Sequence, residues 1–137
     1  MTWLTWALLS ALFAGVTAIL AKVGVKEIDS NLATAIRTSV VLVFAWAIFA
    51  VRGSWPAEIS QRTWLFLVLS GLATGASWLC YFRALQLGEA SRVAPVDKLS
   101  VVVAMALAAT FLGETLTWRH WAGGLLIVAG AVLLTYA

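Results

Sequence analysis

The stretch Ser91-Arg92-Val93-Ala94-Pro95-Val96-Asp97-Lys98-Leu99-Ser100 leads into an apolar run, Leu99 to Leu112, of only fourteen residues. A helix needs about 20 residues to cross a bilayer, so this span has to begin earlier. A start at Val93 gives twenty residues. It also places Asp97 and Lys98 roughly 6 to 8 Å past the helix start, at 1.5 Å per residue. Charges well inside a bilayer cost about 2.5–3.5 kcal/mol each at the helix centre even on lenient insertion scales. They are kept where they face a protein interior or a wet cavity. The segment reads as a membrane helix that carries its polar groups for a reason.

The rest of the chain agrees with that reading. Of its 137 residues, 63% are hydrophobic and 11% charged, with a mean hydropathy of +0.98. A soluble domain carries about a quarter charged residues, so this is an integral membrane protein. Five apolar runs, at about 3–21, 32–51, 64–85, 93–112 and 121–136, use nearly all of the chain. The expected fold is all-α and polytopic, a single domain over 1–137 with five transmembrane helices and no soluble part. The first run lacks a basic segment before it and a small-x-small cleavage pattern after it, so it reads as a retained helix.

The connecting segments follow from local chemistry. Ser30 or Asn31 can accept a hydrogen bond from the first free amides of helix two and so serve as its N-cap. That helix must begin near Leu32 to reach spanning length, which draws Arg37 into the membrane. Gly53 and Pro56 punctuate the next loop, where Glu58 and Arg62, four apart, could pair on a short interfacial helix. Gly71 and Gly75 form a GxxxG pair, and Gly123, Gly124 and Gly130 make helix five glycine-rich. Both patterns let helix backbones approach closely in lipid.

Alternating helix direction sorts the loops onto two sides. One interface collects Trp3, Trp6, Trp55, Trp64, Trp118 and Trp121, six of the eight tryptophans, as an aromatic belt does. On the opposite side Lys22, Arg37, Arg83, Asp97 and Lys98 converge. Lys22 fits a snorkelling anchor. Arg37 and Asp97 fit either an ion pair locking two helices at matched depth or a ligand site, and Lys98 is then the surplus cation. Arg83 can snorkel or join the cluster. Trp78 and Tyr81 can fill the core or wall a cavity, Ser100 follows the charges at the start of the apolar run, and Glu114 is either an interfacial helix end or a protonatable group.

With the embedded Arg37, Arg83 and Lys98 set aside, Lys22, Lys26 and Arg92 stand on one side against Arg52, Arg62 and Arg119 on the other. Three against three gives the positive-inside rule little to act on, which points to insertion in both orientations, whereas counting all nine cations favours the N-terminus outside, six to three. The net charge of +3 is spread among helix ends, unlike the clustered patch of a nucleic-acid binder. His120 and Cys80 are each the sole residue of their type and lack the companions that metal binding or nucleophilic catalysis needs. No cofactor, no metal and no enzymatic reaction is expected.

These features resemble the drug/metabolite transporter superfamily of the EamA type, most closely its five-helix bacterial and archaeal members. The resemblance is carried by Ala18-Ile-Leu-Ala-Lys-Val-Gly24, by Asn31-Leu-Ala-Thr-Ala-Ile-Arg37 and by Tyr81-Phe-Arg-Ala-Leu85. It continues in the helix-four opening through Val101, in Phe111-Leu-Gly-Glu-Thr115 and in Trp121-Ala-Gly-Gly-Leu-Leu-Ile-Val-Ala-Gly130. It implies that the chain is one half of an inverted-repeat ten-helix transporter, completed by a second copy in the opposite orientation. The four-helix multidrug pumps differ in carrying a carboxylate in the first helix, which this chain lacks.

The function expected is secondary transport of a small organic metabolite by alternating access at the interface of an antiparallel homodimer in the inner membrane. Four cations against one embedded carboxylate favour an anionic or zwitterionic substrate. Lys98 and Arg37 would contact it and Asp97 would hold them. Arg83, Trp78, Tyr81 and Ser100 would complete the site, with Asp97 or Glu114 coupling transport to an ion. The competing readings are a non-transporting membrane assembly subunit and an exporter of cationic or hydrophobic compounds.

Overall fold

Each apolar run grows into a helix that, at most of its ends, reaches past the run into flanking polar residues. The computed structural model describes residues 2–55 and 58–136; Pro56, expected to punctuate the second loop, lies outside the described residues. The elements are α1 (Trp3–Gly24), α2 (Ser30–Arg52), α3 (Gln61–Leu87), α4 (Ala90–Asp97), α5 (Ser100–Phe111) and α6 (Trp118–Tyr136). No strand occurs among the described residues. Five spans are long and apolar enough to cross a membrane, the fourth made of α4 and α5 together over Ala90–Phe111. At 1.5 Å per residue its 22 residues reach about 33 Å, enough for a hydrocarbon core of about 30 Å.

The helix starts are set by side chains that satisfy otherwise free amides. Asp29, rather than Ser30 or Asn31, caps α2: its Oδ1 accepts from the Asn31 and Leu32 amides at 2.9 and 3.2 Å. Its carboxylate takes two amides at once, and its negative charge suits a helix N-terminus. α3 starts directly after Ser60, whose hydroxyl accepts from the Thr63 amide at 3.2 Å. Residues 58–60 are not helical, so the short helix that would have paired Glu58 with Arg62 does not form. Arg62 instead lies over the Phe66 ring at 5.8 Å. At the start of α6, His120 Nδ1 accepts from the Thr117 amide at 3.1 Å.

The chain forms two compact units, residues 21–86 and residues 1–20 with 87–137. In the first, the core gathers where the α1–α2 loop meets the end of α3. Val25 and Leu85 are fully buried there, with Ala21, Ala33, Phe82, Ser30 and Thr34. Lys22 Nζ donates to the Leu85 carbonyl at 2.6 Å. Gln86 bridges the same region, accepting from Arg83 Nη1 at 2.6 Å and donating to the Ile28 carbonyl at 3.0 Å. Lys and Gln side chains thus hold carbonyls near helix ends that the backbone ladder leaves open.

In the second unit, α4 and α5 pack on α6. A Cβ at the buried Gly124 would lie 3.7 Å from Val102 Cγ2 and Met105 Cε. Gly124 thus faces α5 with room for a Cβ at ordinary van der Waals distance, whereas a Cβ at Gly71, Gly75, Gly123 or Gly130 would meet nothing within 4 Å. Beyond the end of α5, Gly113 has a φ of +68° that lets the Glu114 amide return to the Ala108 carbonyl at 3.2 Å. Glycine adopts that left-handed conformation without a Cβ penalty.

The spans keep their apolar surface outward: none buries more than 11% of its most apolar window. Leu12, Phe13, Val43, Leu72 and Leu126 are all exposed. Water would not tolerate so much contiguous apolar surface. A bilayer does, and the protein is a multi-pass membrane protein.

Candidate functional site

The fourth span is interrupted where its charges lie. Pro95 sits inside α4, and a proline has no amide to give the carbonyl four residues back, here that of Ser91. Beyond it the ladder tightens. The amides of Lys98 and Leu99 reach back three residues, to the carbonyls of Pro95 at 3.1 Å and Val96 at 3.0 Å. Those of Val101 and Val102 do the same, to Lys98 and Leu99, each at 3.0 Å. Lys98 and Leu99 form a turn between two helices. Asp97 closes the first helix and Ser100 opens the second. The Lys98 ammonium lies 3.2 Å from Asp97 Oδ2, with the carboxylate the less exposed partner. Interrupted membrane helices and embedded charges are features from which transporters build binding sites.

Arg37 occupies the other unit, about two helical turns into α2. Its guanidinium lies 4.2 Å above the Trp78 ring centroid and 5.6 Å from that of Phe82. Arg37, Trp78 and Tyr81 are half-buried and Phe82 is buried. Arginine stacks well on indole because a planar, weakly hydrated cation meets the negative ring face. Among the described residues the ion pairs are Glu89–Arg92 and Asp97–Lys98, so Arg37 has no carboxylate partner there. Tyr81 stands edge-on to Phe82 with centroids 6.5 Å apart. Arg83 directs Nη1 to Gln86 and leaves other guanidinium donors for a further partner. Of the residues expected at the site, Arg37, Arg83, Trp78 and Tyr81 thus belong to one unit and Asp97, Lys98, Ser100 and Glu114 to the other.

Between α2 and α3 lies a cleft of about 300 Å³ lined by Asn31, Thr34, Ala35, Thr38, Ser39, Leu42, Gly75 and Leu79. None of its four polar residues was expected at the site. The signal was present in the sequence, because 31, 34, 35, 38, 39 and 42 recur at the three- and four-residue spacing of one helix face. At the far end of α2 a second cavity of about 340 Å³ is walled by Ala45, Trp46, Phe49, Trp55, Ile59 and Trp64. There Trp55 folds back onto Phe49 and Trp46, with centroids 5.1 and 6.1 Å apart. Gly53 makes that return possible, since a Cβ there would run into the Phe49 ring. Among the described residues, no three His, Cys, Asp or Glu side chains gather as metal ligands would.

The sequence matches the EamA-like transporter family over residues 1–136. The chain belongs to that family. It is 59% identical, over 97% of its own length and 96% of the relative's, to an "Uncharacterized transporter in cobO 3'region" from a Sinorhizobium species. A "Probable 4-amino-4-deoxy-L-arabinose-phosphoundecaprenol flippase subunit ArnE" from Pseudomonas aeruginosa strain UCBPP-PA14 is 38% identical over 65% of this chain and 74% of the relative. The "Uncharacterized transporter YvbV" of Bacillus subtilis is 28% identical over 92% of this chain but only 43% of its own length. No solved structure matches. Family and relatives indicate a membrane transporter rather than an enzyme, which in bacteria resides in the inner membrane.

Proposed function

We propose that this EamA-family transporter carries a small organic anion or zwitterion by alternating access, with its site at the interface of two identical chains inserted in opposite orientations. The observation that carries this reading is the interruption of the fourth span at Lys98–Leu99, with the Asp97–Lys98 pair at the break. A break of this kind supplies a hinge and a charged site together. Lys98 and Arg37 contact the substrate, Asp97 holds Lys98, and Arg83, Trp78, Tyr81 and Ser100 complete the walls. Asp97 or Glu114 couples transport to an ion. Arg37, stacked on Trp78 with no acid beside it among the described residues, supports an acidic group on the substrate.

The partner is a second copy. The chain matches less than half of YvbV, in keeping with two five-helix units making one carrier. The balanced loop charges favour both orientations, and the open faces at Gly71, Gly123 and Gly130 suit contacts between copies. A second reading rests on the ArnE relatives, named as flippase subunits: this chain would then work beside a non-identical partner or move a larger amphiphile.

Thermal unfolding of the purified protein against organic anions, zwitterions and cations, repeated on Lys98→Ala, separates these readings. A ligand that binds only the folded state at a hundred times its Kd stabilises by about 2.7 kcal/mol. Stabilisation by an anion or zwitterion that vanishes in the variant supports the carrier. Stabilisation by cations alone overturns the charge assignment, and no response from a well-folded dimer shifts the function to assembly.

A further inference from the structure

The aromatic cavity at the far end of α2 is walled by side chains that carry no oxygen: Ala45, Trp46, Phe49, Trp55, Ile59 and Trp64. Their polar atoms are three indole N–H groups, and an indole N–H only donates. None of the three has an acceptor among the described residues. The rings are all more than half exposed. An indole at a membrane interface gives its apolar body to lipid and its N–H to the headgroup level.

A cation stands at the mouth of this cavity. Ala45, Phe49 and Arg52 recur at spacings of four and three, along one face of α2. Arg52 is in the last turn, where a positive charge complements the helix end, and it has no carboxylate partner among the described residues. Arg62 lies over the Phe66 ring. Two residues from Trp64, it sits on a different face of α3 from the cavity wall, but it adds positive charge at the same interface. Glu58, beside Ile59, is the acid of this loop and is likewise outside the ion pairs formed there. Two arginines against one glutamate leave the mouth net positive.

The walls are fixed by the chain itself. Gly53 leaves α2 in extended backbone, Trp55 returns onto Phe49 and Trp46, and Trp46 meets Phe49 edge-on with centroids 5.8 Å apart. From Trp46 to Arg52 the helix rises about 9 Å at 1.5 Å per residue. That is comparable to the about 5–10 Å by which interfacial groups enter the boundary between headgroups and acyl chains.

We infer that this cavity seats an anionic glycerophospholipid, with one acyl chain against the aromatic walls and the phosphate at Arg52. Phosphate and ester oxygens only accept hydrogen bonds, which matches side chains that only donate. A polar solute would leave its own donors and acceptors unpaired against carbon walls, and a hydrocarbon chain has none to leave. The inference uses no residue of the break in the fourth span, so it stands or falls separately from the carrier reading.

The test is native mass spectrometry of the full chain, released from mild detergent after equilibration with equal amounts of phosphatidylglycerol and phosphatidylcholine of the same acyl chains. One arginine at an anionic headgroup is worth about fivefold in affinity, so phosphatidylglycerol should be retained about fivefold over phosphatidylcholine. Arg52→Gln should bring that ratio close to one. Ala45→Phe, which fills the cavity, and Trp55→Gln, which removes a wall, should each lose bound lipid of both kinds at an unchanged unfolding midpoint. Equal retention of the two lipids by the wild-type chain overturns the anionic assignment. A preference for phosphatidylcholine overturns it too and makes the aromatic walls a choline cage. Retention unchanged in both Ala45→Phe and Trp55→Gln overturns the seat. Displacement of the lipid by glycerol 1-phosphate assigns Arg52 to a free phosphate, and lipid held by the monomer but absent from the dimer assigns the cavity to a second copy. Either result overturns the inference.

Discussion

Replacing Pro95 by alanine isolates the break in the fourth span. In α4 the missing proline amide leaves the Ser91 carbonyl without its usual bond, and the next amides shorten their reach from four residues to three. Pro95→Ala restores that donor and removes the ring that crowds the preceding turn. One recovered backbone hydrogen bond contributes about 0.5–1.5 kcal/mol. An interior proline costs up to about 3 kcal/mol relative to alanine in a regular helix. Lys98 and Leu99 already keep helical-region dihedrals, so only part of that larger cost can be regained. The expected net gain is about 1–2 kcal/mol, within the span of those two effects. Heat unfolding followed by tryptophan fluorescence reads the gain, and hydrogen exchange at the amides of residues 98–102 reads its location, with slower exchange expected there. Transport should fall at the same time, because a continuous helix no longer holds Asp97 and Lys98 at a hinge. A variant that is less stable, or one that gains stability and transports normally, would refute the reasoning.

Three further substitutions address how the rest of the chain is held. Asp29→Ala removes the cap from α2 and should cost about 1 kcal/mol, measured as a lower unfolding midpoint, with Asp29→Asn losing much less. Gly113→Ala forces a Cβ into the left-handed region at φ +68° and should cost about 1–2 kcal/mol, read in the same assay. Gln86→Ala cuts the link from Arg83 to the Ile28 carbonyl and should cost about 1 kcal/mol, with faster exchange confined to the α1–α2 loop and the end of α3.

Much of the fold was legible because a bilayer leaves few alternatives: apolar runs of spanning length become helices, and five runs became five spans. Even the placement of Asp97 and Lys98 within the fourth span followed from length. Its interruption did not, for a specific reason. A start at Val93 puts Pro95 in the first turn, where a proline is harmless, but the helix begins at Ala90 and makes the same proline an interior one. The α2 cap was sought next to the apolar run, at Ser30 or Asn31, while the better acceptor stood one residue earlier.

At the candidate site the sequence identified embedded charges but not their partners. Arg37 was legible as a cation drawn into the membrane; its stacking on Trp78 depends on how α2 and α3 meet, which no periodicity states. The cleft went unread because Thr34, Thr38 and Ser39 line it only once α3 lies beside α2. His120, isolated as a chemical group in the sequence, serves to cap α6.

The most direct measurement is uptake of a labelled stabilising ligand into proteoliposomes by the wild-type chain and by Lys98→Ala. The account predicts that the variant loses transport while remaining a folded dimer by size and unfolding behaviour. Full transport by Lys98→Ala would contradict the assignment of the site to the break in the fourth span.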